Sequence, residues 1–559
     1  MGGAAACTSS AAHAQLPFPL PSTGLSLKSL FKGARLPEQV TNPETDGRAG
    51  RQYFGPAGYT ARFLPLRAML GEGDLPNAIV AFQQGGVANS LPNITDPEAA
   101  QHLGTATQPG AGKNGDNGQT LNKPNDVFLA NCELGHMRFE QGDYGASLTH
   151  LRAAEAYTAE QKRAKSKGLL GQVGQTAKDV AGGTIGVLTG KGDFGPYRQR
   201  DYEEVIALNY IALGYLLQGD RRAYNVTRRA NVRQNELLEA FSAEIQVAEE
   251  KARTGTKNSK AKFDLVSVLL GEEFARYTKV SESVPSSYVN PIGSYLSGVI
   301  QEIVSFEQPS LRTNARIAFE NAKRLARNSR QLQAMSDAMG QPAVEGQRIV
   351  HILVSEGFAP SRQMLRYGLQ SSEGEVTSIR LGIFEPTESV IDRMELSFTG
   401  QTRAGREIAV NSTALDPLGD FEALIQRSQS ERQASIFWDV VAATFRDDFI
   451  SPYSKLAQEY IGVSLDSVPD LRSWNSLPRR AHIARVSVPV GAREIELVSR
   501  AANGSVLAKT RLPLQADLRQ TFVYARAHGR KLFADAPRRL WIDGTLTDDD
   551  SVLTPSTKG

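Results

Sequence analysis

The stretch Asn131–Tyr157, NCELGHMRFEQGDYGASLTHLRAAEAY, constrains the architecture more than any other part of the chain. It reads as two short amphipathic helices joined by a tight turn. Leu134 and Gly135 lie on the first helix, Gly142-Asp143-Tyr144 at the corner, and Ser147, Leu151 and Ala154 on the second. Small residues at 135, 147 and 154 let two antiparallel helices approach closely, while Leu134 and Leu151 fill the seam between them. One such pair cannot bury its hydrophobic face alone, so further pairs are required beside it.

The spacing is that of a tetratricopeptide unit, and diverged versions recur. Gly73-Asp74 is followed by Ala78 and Phe82, and Gly219-Asp220 by Ala223, Thr227 and Ala230. Ala315, Phe319 and Ala322 repeat the second-helix signature without a Gly-Asp turn. The corners lie about 70 residues apart, which points to helix pairs separated by insertions rather than a tandem array of 34-residue repeats.

Charge argues against one class of partner. The 63 basic and 60 acidic residues leave a net +3, too small a field to imply nucleic acid. Arg221-Arg222, Arg228-Arg229 and Arg479-Arg480 are isolated pairs that suit solvated faces. No run approaches 18 consecutive apolar residues, so no transmembrane helix is expected. Two cysteines exclude a disulfide framework, and Cys132 reads as a small core residue.

At the N-terminus, Ala4-Ala5-Ala6-Cys7 resembles a lipobox, the small-residue run before the cysteine that bacterial lipoprotein processing acylates. The pattern prefers Leu where Ala4 stands, and no basic or apolar signal region precedes it; a plain Ala/Gly leader is the alternative. Residues 1–50 are expected to be leader and flexible tether, and 51–340 a helical-repeat domain with Gly-rich insertions at 85–123 and 166–195. Within it, Tyr202, Val205, Ile206, Tyr210, Leu213 and Leu217 form an apolar stripe at helical spacing. A Lys-rich loop is expected near 254–262 and one long helix over Thr313–Met339.

After Gly340-Gln341-Pro342 the period changes. Ile349–Val354, Ile379–Phe384, Ile391–Phe398 and four runs between 482 and 526 read as strands, with Asn503-Gly504 marking a hairpin. The expected fold is therefore α+β and multidomain, with a β-rich, sandwich-like region over 343–545, a helical insertion near 433–460 and a frayed tail at 546–559.

No catalytic constellation of comparable clarity is present, and no cofactor or metal motif. The seven histidines form no i, i+4 pair; His136 and His150, meeting across the helix pair, would give two metal ligands without a third. Ser259-Lys260-Ala261-Lys262 matches S-x-x-K without its companion motifs. Glu249-Glu250 and Glu272-Glu273 point to different helix faces. Gly190-Lys191 fails as a phosphate loop because Ile185 stands where the first glycine is needed and Gly192 where Ser or Thr is needed.

The blocks YFGPAGYTARFLPLRAML, NCELGHMRFEQGDYGAS, DYEEVIALNYIALGYLLQGD, NPIGSYLSGVIQE and LPRRAHIARVSVPVG, between Tyr53 and Phe533, resemble a family of bacterial outer-membrane lipoproteins with tetratricopeptide-like helices and a C-terminal β domain. The resemblance implies a lipid on Cys7, a periplasmic location on the outer membrane, protein partners in the cell envelope and a link to peptidoglycan assembly. It supplies no catalytic residues. The expectation is a non-enzymatic envelope scaffold. The alternatives are a cytoplasmic repeat adaptor, and an envelope enzyme whose site lies between the helical and β regions, which a pocket with converging carboxylates or histidines would favour.

Overall fold

The computed structural model describes residues 50–56, 58–83, 127–171, 197, 199–254, 257–327, 329–341, 347–370, 376–400, 412–433, 436–437, 471–489, 492–514, 520–534 and 538–539. Cys7 and the expected tether, the 85–123 insertion, most of the 166–195 and 433–460 segments and the 546–559 tail lie outside these residues.

Three glycines turn the helical region. Gly73, Gly142 and Gly219 have φ of 83°, 79° and 70°, a conformation that costs glycine nothing and other residues something. They join α1 (Gly58–Glu72) to α2 (Leu75–Gln83), α3 (Val127–Glu140) to α4 (Tyr144–Gly171), and α5 (Asp201–Leu217) to α6 (Arg222–Thr254). At each corner the glycine N–H donates three residues back, to Leu70, Phe139 or Leu216, at 3.1, 2.9 and 3.0 Å. The following aspartate N–H donates five back, to Met69, Arg138 or Tyr215, at 2.9, 3.0 and 2.8 Å. This Schellman pattern satisfies carbonyls that the ending helix leaves open. Asp143 also caps the next helix, its Oδ1 accepting from the Ala146 N–H at 3.1 Å.

The remaining helices are α7 (Lys257–Ser281), α8 (Ile292–Ser305), α9 (Leu311–Leu325), α10 (Arg330–Met339) and α11 (Phe421–Glu431). From α1 to α6 each helix packs on the next; α6 then packs on α8, α8 on α9 and α9 on α10. Two close approaches set the spacing. A Cβ on Gly135 would stand 2.7 Å from Leu151 Cγ, and one on Gly298 of α8 would stand 2.6 Å from the Phe319 ring of α9.

Three boundaries differ from the sequence expectation. The helix expected over Thr313–Met339 is two, because Ser329 caps a new start: its Oγ accepts from the Leu332 N–H at 3.2 Å, and Asp416 accepts from the Gln331 N–H at 2.6 Å. The expected Lys-rich loop shrinks, since α7 already begins at Lys257, and α4 runs on to Gly171.

The β region comprises β1 (Gly50–Gly55), β2 (Gln347–Glu356), β3 (Arg362–Gln370), β4 (Val376–Phe384), β5 (Arg393–Gly400), β6 (Thr413–Ala414), β7 (Asp416–Asp420), β8 (Arg480–Pro489), β9 (Ala492–Arg500), β10 (Val506–Pro513), β11 (Gln520–His528), β12 (Lys531–Ala534) and β13 (Arg538–Arg539). They make a six-stranded sheet in the order β12-β11-β2-β8-β7 with β13 also on β11, a four-stranded sheet β10-β9-β5-β6, and a three-stranded sheet β1-β3-β4. β2 and β11 run parallel and the other pairs antiparallel. β1 lies ahead of the helices in sequence yet pairs with β3. The β9–β10 hairpin turns at Asn503-Gly504, where Gly504 has φ 82°.

Alternation gives the six-stranded sheet two different faces. Val350, Ile352 and Val354 of β2, Ala484, Val486 and Val488 of β8, and Val523, Ala525 and Ala527 of β11 share one apolar core with Met394, Leu396, Ile495, Leu497 and Leu512 of the four-stranded sheet. Leu353, Ala481, Ile483, Phe522 and Tyr524 join the helical core. A helical region thus precedes a β-rich one in sequence, and the six-stranded sheet is covered on both sides.

Candidate functional site

Polar chemistry concentrates where the first helix of each pair meets the β region. Glu133 of α3 is fully buried. Its Oε1 accepts from the Asn475 N–H at 2.6 Å and the Tyr59 hydroxyl at 3.3 Å, and its Oε2 accepts from the Ser476 N–H at 2.9 Å. Burial nevertheless pushes the carboxyl up to about 7. Glu203 of α5 accepts from the Tyr197 hydroxyl at 2.8 Å, the Arg200 N–H at 2.7 Å and the Trp474 N–H at 3.4 Å, and burial raises it likewise to about 7.

Glu302 of α8 has the opposite electrostatics. Burial alone would raise it, but His351 of β2 at 3.1 Å and Arg485 of β8, whose Nη2 lies at 2.6 Å, bring it down to about 2. Near the end of α3, Glu140 accepts from the Tyr524 hydroxyl and lies 3.4 Å from Arg526 Nη1. A helical carboxylate thus meets a main-chain amide, an imidazole or a guanidinium of the β region at each point along the seam.

A small cleft opens there, lined by His136, Glu140, Ser355, Phe358, Arg526 and His528 among others. Its volume of about 10 Å³ has room for about one water-sized sphere. His136 is 3 % exposed and neither ring nitrogen has a hydrogen-bond partner; Nε2 lies 3.6 Å from Glu140. Burial lowers its pKa to about 3, and that of His528, stacked on Phe358 at 4.6 Å, to about 4, so both rings are neutral at neutral pH. A neutral imidazole beside a carboxylate has the composition of a general base, but Glu140 is already engaged by Tyr524 and Arg526.

No family profile matches this chain, and no curated protein or solved structure matches it. The reading of the site therefore rests on its geometry, and the family resemblance carries no more than the two-part architecture.

Most of the packing residues singled out from the sequence are buried. Leu134, Ser147, Leu151, Ala154, Ala223, Ala315, Phe319 and Ala322 are fully buried and Ala230 is 1 % exposed. Gly135 meets Leu151, and Gly142 and Gly219 form corners. His136 and His150 do not meet: His150 Nδ1 bonds Asn131 Oδ1 at 3.0 Å, whereas His136 stands edge-on to Tyr210. Among the described residues no group of three or more His, Cys, Asp or Glu is placed to hold a metal ion, and no helix is long and apolar enough to cross a membrane. Cys132 is buried, and burial raises its thiol well above the ordinary value. Glu273 accepts from Arg51 Nε of β1 at 3.1 Å.

Sequence reasoning missed Glu133, Glu140, Glu203 and Glu302. One signal was available for Glu133, which stands between Cys132 and Leu134 in a largely apolar helical stretch where a charge requires a partner; Glu203, beside Glu204, carries none.

Proposed function

We propose that the protein is a non-enzymatic scaffold that presents helical-repeat surfaces to protein partners in the bacterial cell envelope. The observation that carries this reading is the recurrence of one corner, a left-handed glycine followed by aspartate with the same two backbone hydrogen bonds, in three helix pairs that stack in series. Serial stacking of like units is the physics of tetratricopeptide-like arrays, whose extended surfaces bind peptides and helices through many shallow contacts. In the same reading the paired six- and four-stranded sheets form a sandwich-like module, Cys7 carries a lipid that holds the chain to the periplasmic face of the outer membrane, and the partners belong to peptidoglycan assembly.

The test is a pull-down from envelope extracts with the full chain, followed by the same experiment with a variant whose exposed helical face is charge-reversed. Loss of the same recovered proteins supports the scaffold, whereas unchanged recovery counts against it. The anchor is tested separately by the mass of the N-terminal peptide from native cells: an acylated Cys7 supports the envelope location, and an unmodified Met1 or Gly2 terminus with a free thiol supports a cytoplasmic adaptor.

The convergence of His136, Glu140 and His528 at the seam favours a second reading, an envelope enzyme. In that reading His136→Ala abolishes turnover of a substrate found by screening while leaving the fold intact; an active His136→Ala variant removes it.

A further inference from the structure

The face that the first helices of the pairs turn toward the β region is occupied by the chain itself. Leu471–Pro478, sequence LRSWNSLP, lies along it and is buried at every residue. A buried segment without regular structure must satisfy its main chain elsewhere. Here charged and polar side chains from three helices do so. Arg67 of α1 donates to the Asn475 carbonyl at 2.9 Å, and the Thr60 hydroxyl of α1, which donates to the Arg362 carbonyl at 2.5 Å, lies 3.4 Å from the Leu471 carbonyl. Glu133 of α3 takes the amides of Asn475 and Ser476, and Glu203 of α5 takes that of Trp474.

The indole of Trp474 anchors the segment. It stands edge-on to His136 at 6.1 Å and lies 6.3 Å from Tyr210, both on first helices, while its Nε1–H turns back to Ser476 Oγ at 3.0 Å. Main-chain contacts from side chains of several helices with one aromatic anchor suit a groove that reads an extended peptide, while the C-terminal end of the segment is also tied to the β region, the Leu477 carbonyl accepting from the Ala359 N–H at 2.8 Å.

The geometry points to Leu471–Pro478 acting as an internal peptide ligand of the helical groove, displaced in trans by an extended peptide with an aromatic anchor followed by two residues with free main-chain N–H groups. This rests on the scaffold reading and adds the regulation of that surface. Tethering holds the cis segment at an effective concentration of about millimolar or higher, so only a tight or locally concentrated partner opens the groove. A proline at either position after the anchor abolishes displacement, because it has no N–H for Glu133.

Two measurements on the full chain test it. Fluorescein-labelled LRSWNSLP is titrated against wild type and Trp474→Ala, whose cis segment lacks its anchor; binding tighter to the variant by about tenfold or more supports the proposal. A folded variant that binds no better than wild type overturns it. Hydrogen exchange on wild type decides the matter should Trp474→Ala fail to fold. Local opening predicts that the amides of Trp474, Asn475 and Ser476 exchange faster than those of β8 and faster still with excess isotopically labelled peptide. Exchange in step with β8, unmoved by peptide, overturns the proposal. Envelope partners recovered by wild type but not competed by the peptide leave the scaffold standing and remove this inference alone.

Discussion

Glu133 shows how one side chain can join two regions of a molecule. Its two oxygens receive two adjacent amides of a segment 342 and 343 positions away, a geometry that an amide side chain cannot copy because its NH2 would face a donor. Glu133→Gln is expected to destabilise the protein by about 1–3 kcal/mol, read as a lower urea midpoint. Glu302 is the stronger tie. Glu302→Ala strands the buried His351 and the partly buried Arg485 and is expected to cost about 3–5 kcal/mol, with a double-mutant cycle against Arg485→Ala showing strong coupling. Where α3 meets α4 the constraint is steric. Gly135→Leu would push into Leu151 and is expected to cost about 1–3 kcal/mol; an unchanged melting temperature would refute the close approach described for that pair.

At the scale of elements, the corners were legible because everything that makes them is local. A glycine that must adopt positive φ, an aspartate that caps, and small residues at fixed offsets all lie within about 15 residues of sequence. Several strands were legible for the same reason, their two-residue alternation surviving in Ile349–Val354 and again after Asn503-Gly504, whereas the nine-residue β3, Arg362–Gln370, was not expected. What was illegible depends on distant partners. β1 is a six-residue strand whose mate is β3, and α9 and α10 are separated by a cap that Asp416 of β7 reinforces. The glutamates of the seam carry no spacing signal, because their acceptor geometry is completed by residues from other regions. A glycine comparison tests the corner argument. Gly504→Ala meets no neighbour and is expected to cost about 1 kcal/mol from backbone strain alone. Gly73→Ala is expected to cost more, since its Cβ would lie 2.5 Å from the Phe533 ring; equal denaturation midpoints would remove the packing of β12 on the first corner.

For the whole molecule, the buried ionisable groups oppose one another in pH. His136, His150 and His528 are held neutral by burial, with pKa values of about 3, 4 and 4, so below their ordinary 6.5 the unfolded chain takes up protons that the native state refuses. Their contribution is lost as pH falls. Glu133 and Glu203, raised to about 7, act in reverse: the native state keeps protons that the unfolded chain releases above 4.5, so their contribution is present below 4.5 and lost as pH rises to 7. Between 4.5 and 6.5 three histidines oppose two glutamates, and between 6.5 and 7 the glutamates act alone. Stability measured by urea unfolding should therefore peak near pH 6.5 and fall on both sides, with Glu302 adding to the acid loss below 4.5. Glu133→Gln should cost less at pH 8 than at pH 5, and a pH-independent cost would contradict the direction of its shift.

Arg67 and Glu133 receive their partners from a segment about 340 to 410 positions later, and that separation sets a timetable for synthesis. At about 5–20 residues per second, α3 leaves the ribosome roughly 20–70 s before the segment that covers its acidic face. During that interval Glu133 of α3 lacks the amides of Asn475 and Ser476, and His136 and Tyr210 lack the Trp474 indole beside them. A nascent chain arrested before Leu471 should therefore bind chaperones and aggregate, and one arrested well past Ala534 should not.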